Sequence, residues 1–240
     1  MAEAERLLRT GAGKLGLVLS KEQLEKFARY LLLLDDWNKR VNLVGAESDK
    51  DIVIRHFLDS LSCFKSEKIK ENRKAIDVGS GAGFPGIPVK IVRPSLTLTL
   101  LDSQKKRVDF LRQAIDELNL DRGRAVWSRA EDFGRNYEER ESYDLAFARA
   151  VAPLSVLLEY VLPLLSVGGY FISQRGPKAA EEVTEARGAL RLLGGEAENI
   201  LLVKVPYLRA KRHLVLVKKV SRASDRYPRR AGIPAKRPLK

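Results

Sequence analysis

Residues Ala75 to Pro88 read Ala-Ile-Asp-Val-Gly-Ser-Gly-Ala-Gly-Phe-Pro-Gly-Ile-Pro: a short apolar run, a glycine-rich turn, then a proline able to open a helix. Glycines after a strand let backbone N–H groups approach a ligand with no Cβ in the way. Asp77 puts a carboxylate at the strand mouth, where it would accept hydrogen bonds from a cationic or hydroxyl-bearing ligand and repel a pyrophosphate. Gly81, Gly83 and Gly86 also spell G-x-G-x-x-G, the dinucleotide fingerprint, so the turn alone does not name its ligand, and an isolated glycine cluster is equally well explained as a plain turn. A second acid, Asp102, ends the next apolar run (96–101), the place from which a carboxylate reaches ribose hydroxyls. Both features together point to a nucleoside-type cofactor, and the two carboxylates suit a methyl-donor sulfonium better than a pyrophosphate.

In a doubly wound sheet the ligand lies beyond the carboxyl ends of the strands, so those ends are read together. Gly79, Ser80, Gly81 and Gly83 would wrap the amino-acid part of the cofactor, and Asp102 would take the ribose. Ala130, with Glu131 beside it, would sit at the adenine edge. Arg149 lies in the apolar setting Ala-Arg-Ala-Val-Ala, where an unpaired guanidinium is costly, so it needs either the cofactor's carboxylate or a structural acid. His56, beside Arg55 and Asp59, reads as a hydrogen-bonded structural histidine rather than a base. No nucleophile, catalytic residue or metal site is assigned.

These groups need a scaffold. Residues 1–20 give a short charged helix and a loop. Ser20 and Gln23 form a capping-box pattern ahead of a helix over 21–39, with Leu24, Phe27, Leu31 and Leu34 at helical spacing. A second helix spans 49–64. From Lys74 strand and helix alternate, as in a parallel sheet. Strands fall at 75–78, 96–101, 124–127, 143–147 and 170–174, and helices at 85–92, 103–118, 153–165 and 178–193. Strands at 200–205 and 213–220 close the chain as an antiparallel hairpin. The expected fold is α/β: a doubly wound, mostly parallel seven-stranded sheet of methyltransferase type. Residues 1–73 form an N-terminal helical cap, 74–220 the cofactor-binding domain and 221–240 a basic tail. No second βαβαβ half is present for a nicotinamide.

The 240 residues are 45% hydrophobic, enough for a folded core. No apolar run nears the ~20 residues of a membrane span, and the N-terminus lacks a secretory apolar stretch, so a cytoplasmic protein is expected. A lone cysteine, Cys63, leaves no disulfide framework or cysteine-built zinc site. Lys and Arg number 44 against 31 Asp and Glu, a net charge of +13 that favours a polyanionic partner. The last twenty residues hold seven Lys or Arg against one Asp. Candidate RNA contacts are Arg229, Arg230, Lys236 and Arg237 in that tail, Lys211 and Arg212 before the last strand, and Arg175 and Lys178 past strand five. Tyr227 or Phe84 would stack on an extruded base.

The chain resembles the small-subunit ribosomal RNA guanine-N7 methyltransferases, the RsmG or GidB family, over nearly its whole length. The likeness rests on Trp37-Asn38, Asn42-Leu43, Arg55-His56-Phe57-Leu58-Asp59-Ser60-Leu61, Asp77 to Pro88 with its Gly-Phe-Pro-Gly-Ile-Pro continuation, Ser128-Arg129-Ala130-Glu131, Ala148-Arg149-Ala150 and Tyr227 to Pro234. It implies the class I (Rossmann-like) methyltransferase fold and an S-adenosylmethionine (SAM) site at Gly79, Phe84, Ala130, Glu131 and Arg149. It also implies methylation of N7 of one guanine in 16S rRNA near the decoding centre, the partner being the rRNA or the assembling small subunit. Alternatives are a SAM-dependent methyltransferase of a small molecule or protein, which should survive deletion of 221–240, and a non-catalytic nucleic-acid-binding module. A monomer is the default expectation.

Overall fold

A computed structural model describes residues 2–45, 48–149 and 152–239. The apolar runs become strands because both of their faces are covered. In β1 (Lys74–Val78), Ala75 faces one core while Ile76 and Val78 face another, as the two-residue period of a strand requires. β1 pairs in parallel with β2 (Thr97–Asp102) and β4 (Tyr143–Arg149); β2 pairs with β3 (Gly123–Trp127), and β4 with β5 (Leu165–Arg175). β7 (Arg212–Lys219) runs antiparallel between β5 and β6 (Gly195–Val203), giving the order β3-β2-β1-β4-β5-β7-β6. Val78 lies opposite Leu101, so β2 carries Asp102 level with the start of the glycine turn.

One face is covered by α1 (Ala2–Lys14), α2 (Lys21–Asn38), a helical run, α5 (Gly86–Val92) and α6 (Lys105–Glu117). The run comprises α3 (Asp49–Ile52), a π-helical stretch Val53–Leu58, α4 (Asp59–Leu61) and a 3₁₀ turn Ser62–Ser66. The other face carries α7 (Ala130–Phe133), α8 (Leu154–Val161), α9 (Ala179–Glu185) and α10 (Arg187–Leu193). The N-terminal helices share one core with the sheet: Phe27, Leu34 and Phe57 belong to the same cluster as Leu98, Leu100 and Phe147. Gln23 fastens them twice, closing the Ser20 capping box and donating from Nε2 to the carbonyls of Ile91 and Val92 at the end of α5.

Several expected boundaries shift. β5 starts at Leu165 instead of 170, because Gly168 (φ +91°) and Gly169 lie inside the strand rather than closing the preceding helix, which ends at Val161. The expected helix over 178–193 breaks at Ala186 into α9 and α10, and β6 begins at Gly195, well before 200. The tail is docked. Tyr227 is buried in the second core, Pro228 follows a cis peptide bond, and a short helix, α11 (Ile233–Lys236), comes after it, with Leu239 packed on the same core. No helix is long and apolar enough to cross a membrane, and no cluster of three metal-binding side chains occurs among the described residues.

Candidate active site

A cavity of about 560 Å³ opens where β1, β2, β3 and β4 end. Its floor is the turn after β1, held by Gly79 and Ser80 N–H donating to the Leu101 carbonyl at 2.8 and 3.1 Å. Gly81, at φ +58°, has open space where a Cβ would stand, so its backbone faces the cavity bare. Gly83, at φ +89°, would drive a Cβ into Ile87 and the Tyr30 hydroxyl, which itself donates to the Ala82 carbonyl. Glycine is therefore required there both by backbone conformation and by packing.

Asp102 is buried on the opposite wall, its Oδ2 accepting from Gly81 N–H and its Oδ1 from Gln104 N–H, each at 2.9 Å. Each oxygen keeps a lone pair, and Arg107 stands 3.7 Å away. Ser103 and Ser128 to Glu131 extend this wall. Glu131 is buried, and its Oε1 accepts from the backbone of Gly232 at 2.8 Å, so the C-terminal tail closes this end of the cavity with Gly232 and Ala235. Tyr160 lines the same end; burial, and then the charge of Glu131, push its hydroxyl up to about 12. Trp127 stands at the rim, 57% exposed, its ring fixed by Nε1–H donating to the Ser103 carbonyl at 3.0 Å.

The third wall brings Phe84, His56 and Arg149 together. The His56 ring stacks on Phe84 at 4.8 Å between centroids, and the Arg149 guanidinium lies 5.2 Å from the Phe84 centroid. Arg149 Nη2 is 2.7 Å from His56 Nδ1. A guanidinium can only donate, so Nδ1 is the acceptor and the imidazole proton sits on Nε2. Burial and then the charge of Arg149 lower the His56 pKa to about 3, keeping the ring neutral at physiological pH.

Arg149 also donates to Asp59 Oδ2 and to the Arg55 carbonyl, both at 3.1 Å. Asp59 Oδ1 accepts from Arg212 at 3.3 Å, so one buried carboxylate holds two arginines. Burial pushes the Asp59 carboxyl above its ordinary pKa against the pull of both guanidiniums. The sequence offered Asp59 only as a neighbour of His56. Its partners lie 90 and 153 residues away, so no local spacing could reveal them.

Three expectations are corrected by this geometry. Asp77 is not on the cavity wall. It is fully buried beneath the turn, with Oδ2 accepting from Gly86 N–H at 2.8 Å and Oδ1 without a partner among the described residues, and burial raises its pKa to about 7. Its strand register turns it into the core, leaving Asp102 as the strand-tip carboxylate of the cavity. Second, Tyr227 and Phe84 are both buried, so neither offers an open face for stacking on RNA. Third, three of the eight basic residues expected at RNA are already engaged. Arg229 grips the fully buried Glu159, Arg175 bonds Glu182 and the Ala152 carbonyl, and Arg212 bonds Asp59. Lys178, Lys211, Arg230, Lys236 and Arg237 remain exposed. Ala150, from the quoted Ala148-Arg149-Ala150 motif, lies outside the described residues.

The family described as rRNA small subunit methyltransferase G (GidB) matches residues 23–215. The ribosomal RNA small subunit methyltransferase G of Pelotomaculum thermopropionicum is 43% identical over 239 residues, covering all of both chains. Its counterpart in Thermoanaerobacter pseudethanolicus is 47% identical over 233 residues, 97% of each. Among solved structures, a SAM-dependent methyltransferase from Aquifex aeolicus superposes with a TM-score of 0.54 at 18% identity, over 70% of this chain and 93% of its own. M. jannaschii TYW2 in complex with AdoMet gives 0.52 at 15% identity, over 69% of this chain and 76% of its own. At such identities the two structures speak for the fold.

Proposed function

The chain belongs to the rRNA small subunit methyltransferase G family, and from that premise we propose that it methylates N7 of one specific guanine of 16S rRNA near the decoding centre. It is a SAM-dependent rRNA methyltransferase. The observation that best supports the reading is the cavity at the strand ends, lined by the glycine turn, Asp102, Ala130, Glu131 and Arg149. The bare glycine turn would let the amino-acid portion approach closely, Asp102 has spare lone pairs that would take ribose hydroxyls, and Ala130 and Glu131 would stand at the adenine. Arg149, turned toward the cavity beside Phe84, would meet the cofactor's carboxylate while Asp59 keeps it in place.

Bound SAM supplies an electrophilic methyl group on a positively charged sulfur. The protein's own contribution is positioning. Guanine N7 carries a free lone pair at neutral pH, so no general base is needed, and a well-oriented pair reaches effective molarities of roughly 10⁵ M or more. The neutral His56, which lines the cavity, fits this scheme, since it takes up no proton. The exposed Lys178, Lys211, Arg230, Lys236 and Arg237 are proposed to contact rRNA phosphates, each adding about 0.7–0.9 to the salt slope of binding. The working state is proposed to be a cytoplasmic monomer acting on rRNA or the assembling small subunit.

Two linked measurements test this. Tritium-methyl transfer to 16S rRNA from cells lacking the enzyme, followed by mapping, should label one guanine at N7; label elsewhere or none refutes the reading. In calorimetry, Asp102→Ala should weaken SAM binding by an order of magnitude or more through loss of charge-assisted hydrogen bonds, ~1.5–3 kcal/mol. Unchanged affinity would remove the ribose from Asp102.

A further inference from the structure

The loop between β6 and β7, residues 204–211, reads Lys-Val-Pro-Tyr-Leu-Arg-Ala-Lys, and the chain holds no Asp or Glu anywhere from 199 to 224. Its place follows from register. β7 starts at Arg212 and runs antiparallel to β5, with His213 opposite Arg175, so the loop emerges at the carboxyl edge of the sheet, where the SAM cavity opens. His213 Nδ1 donates to the Gly176 carbonyl at 2.9 Å, and Arg212 reaches Asp59, which also holds Arg149 of the cavity wall. The loop is anchored without its aromatic residue. Val205 is buried, Leu208 packs on the first core, and Leu208 N–H donates to the Val205 carbonyl at 3.1 Å. Between these anchors Tyr207 holds φ +67°, in the left-handed region that a bulky side chain seldom adopts. Tyr207 is 44% exposed, with the Lys14 ammonium 4.4 Å from its ring centroid, and Lys204, Arg209 and Lys211 are exposed on the same loop.

We propose that this loop grips the substrate RNA outside the SAM cavity: Tyr207 stacks on an unpaired base while Lys14, Lys204, Arg209 and Lys211 contact phosphates. A tyrosine ring takes any base on its π-face, and closely spaced cations with no acid among them suit a strand of phosphates. Arg212 is not counted among these contacts, because Asp59 already holds it. A tyrosine kept in an uncommon backbone conformation and left open to water, while its neighbours do the anchoring, fits a ring presented to a partner better than one that fills a core. The inference rests on the rRNA reading above and adds the place where the strand crosses the protein.

Filter binding of 16S rRNA across a salt series, together with steady-state methyl transfer to the same RNA, tests this. Lys204→Ala combined with Arg209→Ala should lower the salt slope by about 1.4–1.8, the share of two phosphates, and raise KM for rRNA about tenfold or more. Tyr207→Ala should weaken rRNA binding about fivefold or more at an unchanged salt slope, while Tyr207→Phe, which keeps the ring, should bind as wild type does. SAM affinity, measured by calorimetry, should change less than about twofold in every variant. An unaltered salt slope in the double variant overturns the proposal, and so does Tyr207→Ala binding rRNA as tightly as wild type. A loss in Tyr207→Phe equal to that in Tyr207→Ala overturns the stacking. Wild-type protein that transfers no methyl group to 16S rRNA would instead strike the functional reading.

Discussion

A chain ending at Val220 should lose much of its stability and with it its SAM binding. The tail is bound to the body by a buried ion pair: Glu159, fully buried on α8, accepts from Arg229 N–H at 2.7 Å, from Nε at 2.9 Å and from Nη2 at 2.7 Å. Removing the arginine side chain leaves the buried carboxylate with only the backbone N–H of residue 229 as donor, a loss of about 3–5 kcal/mol by the standard for a broken buried pair. That is a large part of the 5–15 kcal/mol typical of a whole domain. Arg140 loses its acceptors at the Tyr227 and Ala223 carbonyls, and Tyr227 leaves the second core. The cavity loses Gly232 and Ala235 from its wall. Denaturant melts of the truncated chain and of Arg229→Ala should show the point variant losing about 3 kcal/mol or more. Adding Glu159→Met to Arg229→Ala should restore part of it, because the stranded charge is then gone. An unshifted melt for the truncated chain would refute this. The truncation therefore cannot distinguish an rRNA substrate from a small one, as the sequence alone had suggested, since it damages the cofactor site for any acceptor.

Asp59→Ala should be comparably severe. Its carboxylate is nearly inaccessible, and the side chains of Arg149 and Arg212 are only 17% and 29% exposed. Without the acid, two partly buried guanidiniums face each other unneutralised, a loss of about 3–5 kcal/mol by the standard for a broken buried pair. Arg149 also loses what holds it beside His56 and Phe84, so SAM affinity should fall with stability. Asp59→Asn, which keeps one acceptor oxygen, should lose less. Urea melts and SAM calorimetry on both variants test this, and a fully stable Asp59→Ala that binds SAM normally would show that the two arginines find other partners.

What the sequence made legible was local. The glycine turn, the acid at the tip of β2 and the strand–helix alternation are written in consecutive residues, and the structure has the expected seven-stranded sheet with these groups at its carboxyl edge. The misplaced features depend on where a side chain ends up after folding. Asp77 looked like a ligand because of its distance from the first glycine, yet strand alternation buries it. Arg229 looked like a phosphate contact because its neighbours are basic, yet its partner Glu159 is 70 residues earlier. The early start of β5 comes from sheet pairing, which joins Leu165 to Tyr143 ahead of the two glycines. The hold of Asp59 on both Arg149 and Arg212 has no counterpart in residue spacing.

The ring at the rim has a practical use. The chain has two tryptophans, and Trp37 is partly buried with its indole N–H on Gln113, far in sequence from the glycine turn. Trp127 instead stands in water next to Ser103 and Ser128, both of which line the cavity. The molecule thus carries its own fluorophore at the entrance. Light emission from the unlabelled protein should change as a nucleoside arrives, and replacing Trp127 with phenylalanine should silence that signal while leaving the arrival itself intact.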